Sequence, residues 1–337
     1  IAAMNEYGSK AIPFFFIIDF ELERPLVFRL DRMQAEGVLY ALPGRRNCRP
    51  ASPPPRPLQL RPEPVAPDTY GRAFDRVQAH LRRGDSYLLN LTFPSRLHLN
   101  YNLREVFEHS TAPYKLLFRD RFAVFSPESF VRIEDGCISS FPMKGTIDAA
   151  QPDARQRLLD NPKELAEHYT IVDLIRNDLS MIATGVTVKR FRYLDRVETH
   201  RGALWQASSH IVGRLPAGYP ARIGELLFRL LPAGSVSGAP KRRTVEIIRS
   251  AEQQPRGYYT GVFGYFDGHR LDSAVMIRYV ERRSGGLYFR SGGGITASSR
   301  KAEEYRELTE KIYVPITGNH RSEKRTPAAS AVSSTSL

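Results

Sequence analysis

Two pairs of glutamates stand at a spacing that suits metal binding. Glu164 and Glu167 are three residues apart, as are Glu304 and Glu307. Residues three apart lie on one face of an α-helix, so each pair would present two neighbouring carboxylates. Mg²⁺ prefers oxygen ligands, keeps several waters and commonly takes only one or two protein carboxylates. Two such faces across a cleft would bind Mg²⁺, and the alternative is that both are ordinary solvated helix surfaces.

Lys144 stands between Met143 and Gly145 at the end of a predicted strand, an unusual place for a merely solvated lysine. An amine is nucleophilic only when neutral, and about 1 in 2,500 ordinary lysines is neutral at pH 7. A nucleophilic Lys144 therefore needs surroundings that favour the neutral amine, such as burial, Arg278 or bound Mg²⁺. The local sequence leaves open the alternative that it pairs with a phosphate or carboxylate without covalent chemistry.

Glu128 follows a Ser-Pro pair in a predicted tight turn between two strands. Burial raises the pKa of a carboxyl toward neutrality, which makes Glu128 a candidate proton donor, with ordinary turn chemistry as the alternative. The run Gly292–Gly294 permits close backbone approach, so its N–H groups could bind a carboxylate. The alternative is that the run only forms a bend. The segment SVSGAPK lacks the GxxxxGK(S/T) spacing, and we reject a P-loop.

Hydrophobic periodicity predicts the helices that must position these side chains. Apolar residues recur at helical spacing from Tyr70 to Leu81, with Asp68 or Thr69 as the N-cap and Gly84 just beyond the last turn. Further helices are predicted over 161–182, over 220–231, from about Pro240 to Ala251, and from Ser298 or Ser299 to about Val314.

The predicted strands are joined by turns that favour antiparallel sheet. Asp135-Gly136 and Asp267-Gly268 are typical hairpin turns. The predicted strands lie within 12–29, 87–93, 116–120, 122–126, 129–133, 137–143, 185–194, 197–215, 257–266, 273–280 and 287–295.

Length and composition limit the class of protein. A chain of 337 residues forms either two domains or one large layered α/β unit. Much of the net charge of +13 falls in a Pro-rich stretch and in the tail, and we interpret it mainly as solvated surface that also steers a dianion toward a cleft.

The longest apolar run is too short to cross a bilayer, and a secretory signal is not apparent. Cys48 and Cys137 have neither metal-ligand nor disulfide spacing, which favours a reducing cytoplasm.

Four regions are predicted along the chain. Residues 1–43 form N-terminal strands, and 44–68 form a Pro-rich loop or insertion that we expect to hold neither a strand ladder nor a helix. Residues 69–315 form the catalytic domain. The polar, Ser/Thr/Ala-rich tail, 316–337, is predicted to be disordered.

In this order, the segments SPESF, PMKGT, KELAEHYTIVDLIRNDLS, AGSVSGAPK and GGGIT with AEEYRE resemble the chorismate-binding enzymes. The resemblance runs from about Phe74 to Val314. It implies an α/β (α+β) fold in which two large, mainly antiparallel sheets pack face to face, with helices outside and the active site between the sheets.

The same resemblance implies roles for individual residues. Glu167 and Glu307 match Mg²⁺ ligands, with Glu164 and Glu304 beside them as supporting partners. Glu128 matches the acid/base that handles the departing 4-hydroxyl. The implied substrate-binding residues are Arg278, Tyr265, Ser235, Gly293, Gly294, Lys241 and Gln206.

Lys144 distinguishes the branches of the family. Anthranilate synthases carry alanine at this position, whereas the branch with lysine aminates chorismate to 4-amino-4-deoxychorismate, a precursor of 4-aminobenzoate and folate. The resemblance implies that Lys144 attacks ring carbon 2 and that ammonia then attacks carbon 4. Gln206 stands where anthranilate synthases usually place a histidine linked to pyruvate elimination.

The two cysteines bear on the source of the ammonia. A glutamine amidotransferase needs a nucleophilic Cys on a sharp turn with a His partner, and neither Cys48 nor Cys137 has that setting. We therefore expect ammonia from a separate glutamine amidotransferase subunit. The nearest alternative is anthranilate synthase component I. A basic nucleic-acid-binding protein is the alternative of another class, but the basic and aromatic strand platform that it predicts is not evident, so we expect no nucleic-acid partner.

Overall fold

The computed structural model describes residues 1–199 and 202–316. The helices are α1 Ala2–Ser9, α2 Pro67–Arg82, α3 Leu103–His109, α4 Ala154–Asp160, α5 Pro162–Ser180, α6 Ile223–Leu230, α7 Lys241–Glu252 and α8 Lys301–Glu310. The strands are β1 Phe14–Ile18, β2 Leu26–Arg29, β3 Val38–Leu42, β4 Arg45–Arg46, β5 Leu60–Glu63, β6 Leu88–Leu99, β7 Tyr114–Phe118, β8 Phe122–Ser126, β9 Ser129–Glu134, β10 Cys137–Ser140, β11 Met143–Asp148, β12 Thr184–Thr199, β13 Gly202–Arg214, β14 Gly238–Ala239, β15 Val262–Phe266, β16 Leu271–Val275, β17 Tyr279–Arg283 and β18 Gly286–Ile295.

The strands form two large antiparallel sheets. The first has the order β11-β13-β10-β9-β16-β15-β1-β2, with β12 also paired to β13. The second has the order β14-β6-β18-β17-β8-β7-β3-β4, with β5 also paired to β6. The N-terminal strands contribute to both sheets, because β1 and β2 join the first and β3 joins the second. Residues 1–43 are therefore an integral part of the fold.

Strand β1 shows how the layers pack, because its five residues are apolar and all buried. Side chains alternate between the two faces of a strand. Phe14, Phe16 and Ile18 enter the core that the first sheet forms with α1, α5 and α6. Phe15 and Ile17 enter the core between the two sheets. Helices α2, α3, α7 and α8 cover the outer side of the second sheet. The two sheets with helices outside confirm the fold that the sequence predicted.

The prediction that the Pro-rich stretch 44–68 holds no strand was wrong, because two short strands lie within it. Arg45 and Arg46 pair with β3, and Leu60–Glu63 pair with β6. Pro62 is compatible with a ladder because β5 is an edge strand, where a missing N–H faces away from the sheet.

Two helix starts differ from the prediction. Helix α2 begins at Pro67 directly after Ala66, so Asp68 lies inside the first turn. A proline fits this first position because its absent N–H would have no partner within the helix. Helix α8 begins after Arg300, and Ser299 instead accepts a hydrogen bond from the Thr296 amide.

Some predicted element boundaries also differ from those in the structure. Strand β12 continues to Thr199, so 197–199 belong to it and not to the next strand. Of the predicted disordered tail, Ile316 is buried and bridges to Ser110, and 317–337 lie outside the described residues. Within 1–199 and 202–316, helices combining the length and apolarity needed to cross a membrane are absent.

Candidate active site

A cavity of about 730 Å³ is lined by both sheets and by α5 and α8. This volume lies in the range of small-molecule sites, about 300–1,000 Å³. Acidic and basic side chains are mixed in its wall. The charged lining residues are Glu128, Lys144, Lys163, Glu164, Glu167, Arg278, Arg290, Glu307, Glu310 and Lys311.

Helix α5 supplies one acidic side of the cavity. Asn161 caps the helix, and its side-chain oxygen accepts hydrogen bonds from the amides of Lys163 and Glu164 at 3.0 and 3.2 Å. This cap fixes the first turn, from which Glu164 and, three residues later, Glu167 enter the cavity. Burial raises the pKa of Glu164, and repulsion from the nearby Glu167 raises it further.

Helix α8 supplies the other acidic side. Partial burial would raise the pKa of Glu307, but its ion pair with Lys311 at 2.5 Å, together with the charges of Lys144 and Lys163, outweighs that effect, and the pKa lies below its usual value. Burial raises the pKa of Glu304, and the charge of Glu307 adds to the effect. Among the described residues, Glu304 Oε2 is buried without a hydrogen-bond partner. This oxygen is available to a cation or a water.

The two acidic sides repel each other across the cleft. Glu307 on α8 contributes to the raised pKa of Glu164 on α5, and Glu167 contributes to that of Glu304. In the part of the chain that the structure describes, a ready-made cluster of three or more metal-ligating His, Cys, Asp or Glu is not found. Mg²⁺ requires less, because it takes one or two carboxylates plus waters and substrate oxygens. The oxygen donors and the orphaned Glu304 oxygen fit such an ion, and Mg²⁺ stays a prediction.

Lys144 enters the cavity from an irregular part of β11. The register between β11 and β13 shifts between Met143 and Thr146, which is a β-bulge that redirects the intervening side chain. Gly145 makes the bulge possible: its φ is 84°, and an added Cβ would lie 2.9 Å from Glu164 Oε2. Lys144 Nζ lies 3.7 Å from Glu167 Oε2, and a Cβ placed on Gly294 would lie 3.7 Å from the same nitrogen.

Glu128 lies in the turn between β8 and β9, directly before the first residue of β9. Ser235 Oγ donates a hydrogen bond of 2.5 Å to Glu128 Oε1. Burial raises the pKa of Glu128, against the opposing effects of this hydrogen bond and of the cations Lys144, Arg278 and Lys311. The carboxyl therefore keeps a proton to higher pH than a free glutamate and can donate it within the cavity.

The cations Arg278 and Lys311 line the cavity together. Arg278 adopts a φ of 54°, a conformation that is uncommon outside glycine, and its guanidinium lies 4.9 Å from the centre of the Tyr313 ring. Its Nε is buried and unpaired within the described residues. Lys311 Nζ donates to the Gly292 carbonyl at 2.9 Å. This arrangement can bind a carboxylate.

The structure brings most of the sequence-predicted site residues into one cavity. Those that line it are Glu128, Lys144, Glu164, Glu167, Gln206, Ser235, Arg278, Gly294 and Glu307. Gly293 and Glu304 lie beside the lining, since a Cβ on Gly293 would be 3.1 Å from Glu307 Oε1 and 3.4 Å from Glu304 Oε2. Gln206 reaches the cavity from β13 and donates to Ser208 Oγ at 3.4 Å.

Tyr265 and Lys241 lie outside this cavity, so their predicted placement among the substrate-binding residues was wrong. Tyr265 lines a separate pocket, where its hydroxyl accepts a hydrogen bond of 3.1 Å from Arg45. Lys241 begins α7, pairs with Asp178 at 2.9 Å and donates to the Leu230 carbonyl at 2.7 Å. These contacts occupy its amine, so it holds the α7 start against α5 instead of facing the cavity.

Sequence reasoning missed several lining residues, among them Tyr259, Arg290 and Lys311. Tyr259 belongs to the same GYYTGVFGYF segment as Tyr265, and sequence alone did not distinguish the two tyrosines. Lys311 is four residues after Glu307, the spacing of a helical ion pair, and that signal could have identified it. Arg290 precedes the glycine run and carries no comparable signal.

The chain belongs to the chorismate binding enzyme family, whose model matches residues 28–317, and this membership makes it a chorismate-utilising enzyme with the charged cavity as its candidate active site. An uncharacterized PabA-like protein of Pasteurella multocida is 51% identical over 317 residues, covering 94% of this chain and 98% of that protein. Aminodeoxychorismate synthase component 1 of Klebsiella aerogenes is 36% identical over 263 residues, covering 73% of this chain and 56% of that protein.

Solved structures agree with this membership. Anthranilate synthase component I of Streptococcus pneumoniae superimposes with a TM-score of 0.64 at 27% identity, covering 77% of this chain and 60% of that chain. The sequence and structural comparisons therefore point to the same family, while their members differ in the reaction that their names describe.

Proposed function

We propose that this enzyme aminates chorismate to 4-amino-4-deoxychorismate, a step toward 4-aminobenzoate and folate. The observation that carries the proposal is the position of Lys144. Its amine lies inside the cavity, close to Glu167 and to the Gly294 backbone. A lysine that only paired with a phosphate or a carboxylate at the surface would not require the bulge that directs this side chain inward.

In the first step, the neutral Lys144 amine forms a bond to ring carbon 2. The electron pairs of the two ring double bonds shift, the bond between carbon 4 and its hydroxyl breaks, and the protonated Glu128 supplies the proton that lets the hydroxyl leave as water. The attacking nitrogen releases one proton, which is taken up, through solvent, by the Glu128 carboxylate, so the net change is loss of one water. The covalent adduct has the mass of the enzyme plus chorismate minus water.

In the second step, ammonia forms a bond to carbon 4. The double bonds shift back, the bond between Lys144 and carbon 2 breaks, and the lysine nitrogen takes up the proton that the incoming nitrogen releases. The pyruvyl ether is retained. Glutamine amidotransferase activity belongs, in this proposal, to a separate subunit that supplies the ammonia.

The remaining residues orient the substrate. Glu167 and Glu307, supported by Glu164 and Glu304, would hold Mg²⁺, which when bound supplies positive charge for a substrate carboxylate. Arg278 and Lys311 bind carboxylate oxygen, and Ser235 holds the Glu128 carboxyl by its 2.5 Å hydrogen bond.

The proposal is tested by product identity. Purified protein is incubated with chorismate, ammonium and Mg²⁺, and the products are separated and weighed by mass spectrometry. We expect 4-amino-4-deoxychorismate, whose mass retains the pyruvyl group. Anthranilate with free pyruvate would instead assign the chain to anthranilate synthesis, and isochorismate would indicate that water replaces ammonia.

A further inference from the structure

Arg290 is a buried cation beside the cavity, and the proposed mechanism gives it no role. It lies on β18 between Tyr279 of β17 and Pro94 of β6, and 1% of the residue is exposed. It also contributes to the cavity wall. A buried charge is costly unless opposite charge or hydrogen bonds compensate it.

Only part of the guanidinium is compensated in the described structure. Nη1 donates to the carbonyls of Pro255 and Arg256, both at 2.9 Å. Nε and Nη2 are buried, and within 1–199 and 202–316 neither has a hydrogen-bond partner. The two bonds hold the turn that leads to Tyr259, but they leave the positive charge without a counterion.

The two carboxylates that act on Arg290 are already paired with other arginines. Glu252 pairs with the buried Arg256 at 2.6 Å, and Glu281 pairs with Arg283 at 2.6 Å. Both carboxylates attract Arg290 from a distance, but each is neutralised first by its own partner. Positive potential from Arg290 therefore extends into the cavity.

Tyr259 connects Arg290 with the cavity. The Arg290 guanidinium lies 5.3 Å from the centre of the Tyr259 ring, within the range of a cation–π contact. Tyr259 and Arg278 both line the cavity. Arg290 thus lies in the same wall as Tyr259 and Arg278, contacts the tyrosine ring and adds its charge to that of Arg278.

We propose that Arg290 is a positioning residue for substrate recognition, which holds Tyr259 and supplies the uncompensated charge that favours a dicarboxylate in this cavity. This inference rests on chorismate as the substrate in the proposed function. Its electrostatic part requires the charge, and its structural part requires the contacts with the turn at 255–259.

Two substitutions separate the charge from the hydrogen bonds. Arg290→Gln keeps a donor for the turn and removes the charge, whereas Arg290→Lys keeps the charge. Arg282→Gln is the matched control, because Arg282 is on the neighbouring β17 and pairs with Asp120 outside the site. The measurements are the Tm, KM and kcat with ammonium, and the Kd for chorismate with Mg²⁺ by calorimetry, with every Arg290 and Arg282 variant and its wild-type reference carrying Lys144→Ala so that no covalent adduct forms.

We expect Arg290→Gln to weaken chorismate binding about tenfold, because a charge within several ångströms at an intermediate dielectric has an effect of this order. KM should rise while kcat changes less than about threefold, and Arg290→Lys should restore the Kd to within about threefold of wild type. A wild-type Kd in Arg290→Gln, or equal weakening in both variants, would overturn the role of the charge.

Two further outcomes keep the test decisive. If Arg290→Gln does not fold, a folded Arg290→Lys with wild-type Tm and a Kd more than about tenfold weaker would overturn the proposal, because the charge is still present. The Kd for chorismate is measured without the amination reaction, so it does not depend on which product the enzyme forms. Arg290-dependent chorismate binding without 4-amino-4-deoxychorismate would refute only the proposed function, and amination with an unaffected Kd would refute only the role of Arg290.

Discussion

Glu128 is the residue whose surroundings most directly suggest a proton donor. It accepts a hydrogen bond from Ser235, and burial raises its pKa. Glu128→Gln keeps the size of the side chain but removes the acidic proton, so turnover at saturating chorismate and ammonium should fall about 10²–10⁴-fold. Glu134→Gln, at an exposed ion pair on β9, is the control and should keep wild-type turnover. Full activity of Glu128→Gln would assign the proton to another group.

The raised pKa of Glu128 also predicts a pH dependence of stability. A carboxyl whose folded pKa lies above its unfolded value contributes stability below the unfolded pKa, and loses it as pH rises through the folded pKa. The Tm of wild type should therefore decrease relative to that of Glu128→Gln as pH rises through this window. A constant Tm difference between the two proteins would show that Glu128 titrates normally.

At the scale of elements, α5 and α8 bring two acidic faces together. Glu167→Gln and Glu307→Gln should each raise the Mg²⁺ concentration needed for half-maximal activity, by about 10-fold or more, because each removes a charged oxygen ligand. Activity is measured over a Mg²⁺ titration, and Tm checks the fold. Glu303→Gln, at an exposed position of α8, should behave as wild type. Unchanged Mg²⁺ dependence in both site variants would remove these residues from the metal site.

Helix α7 stabilises the cavity wall through a buried ion pair. Glu252 Oε1 accepts from the Thr92 amide and pairs with Arg256, whose Nη1 donates to the Val236 carbonyl at 2.8 Å. Glu252→Gln would leave a buried arginine unpaired and should lower the free energy of unfolding by about 3–5 kcal/mol. Denaturant unfolding measures this change, and Glu246→Gln on the exposed side of α7 should cost less than about 1 kcal/mol. Equal costs would mean that the buried pair is not stabilising.

The elements also show what the sequence could predict. Helical periodicity, cap residues and the alternation of apolar residues along strands depend on local chain geometry, so they identified α5, α8 and most strands and placed each glutamate pair on one helix face. The Lys144 bulge and the Arg290 contacts depend on how distant strands pair, which local spacing does not contain. Tyr265 was misplaced for the same reason: only the sheet shows that Tyr259 reaches the cavity and that Tyr265 faces Arg45.

At the scale of the whole molecule, the proposed reaction requires ammonia, which in our proposal a separate glutamine amidotransferase subunit supplies from glutamine. Purified protein should use ammonium but not glutamine, and its rate at fixed total ammonium should rise about 10-fold per pH unit below the pKa of ammonium, while the enzyme itself stays active, because NH₃ is the nucleophile. Product formation with each donor over a pH series measures this. Glutamine-dependent turnover by the rigorously purified chain would contradict the prediction.

The most direct test of the central claim is the intact mass of the protein after incubation with chorismate and Mg²⁺ but without ammonium. Wild type should gain the mass of chorismate minus water, and added ammonium should remove the adduct. Lys144→Ala should gain no mass and should lose several orders of magnitude in amination rate, unless ammonia enters the space left by the lysine and attacks carbon 2. Lys189→Ala, an exposed lysine on β12, should form the adduct as wild type does. A wild-type protein that never gains this mass, together with undiminished 4-amino-4-deoxychorismate synthesis by Lys144→Ala, would contradict the account.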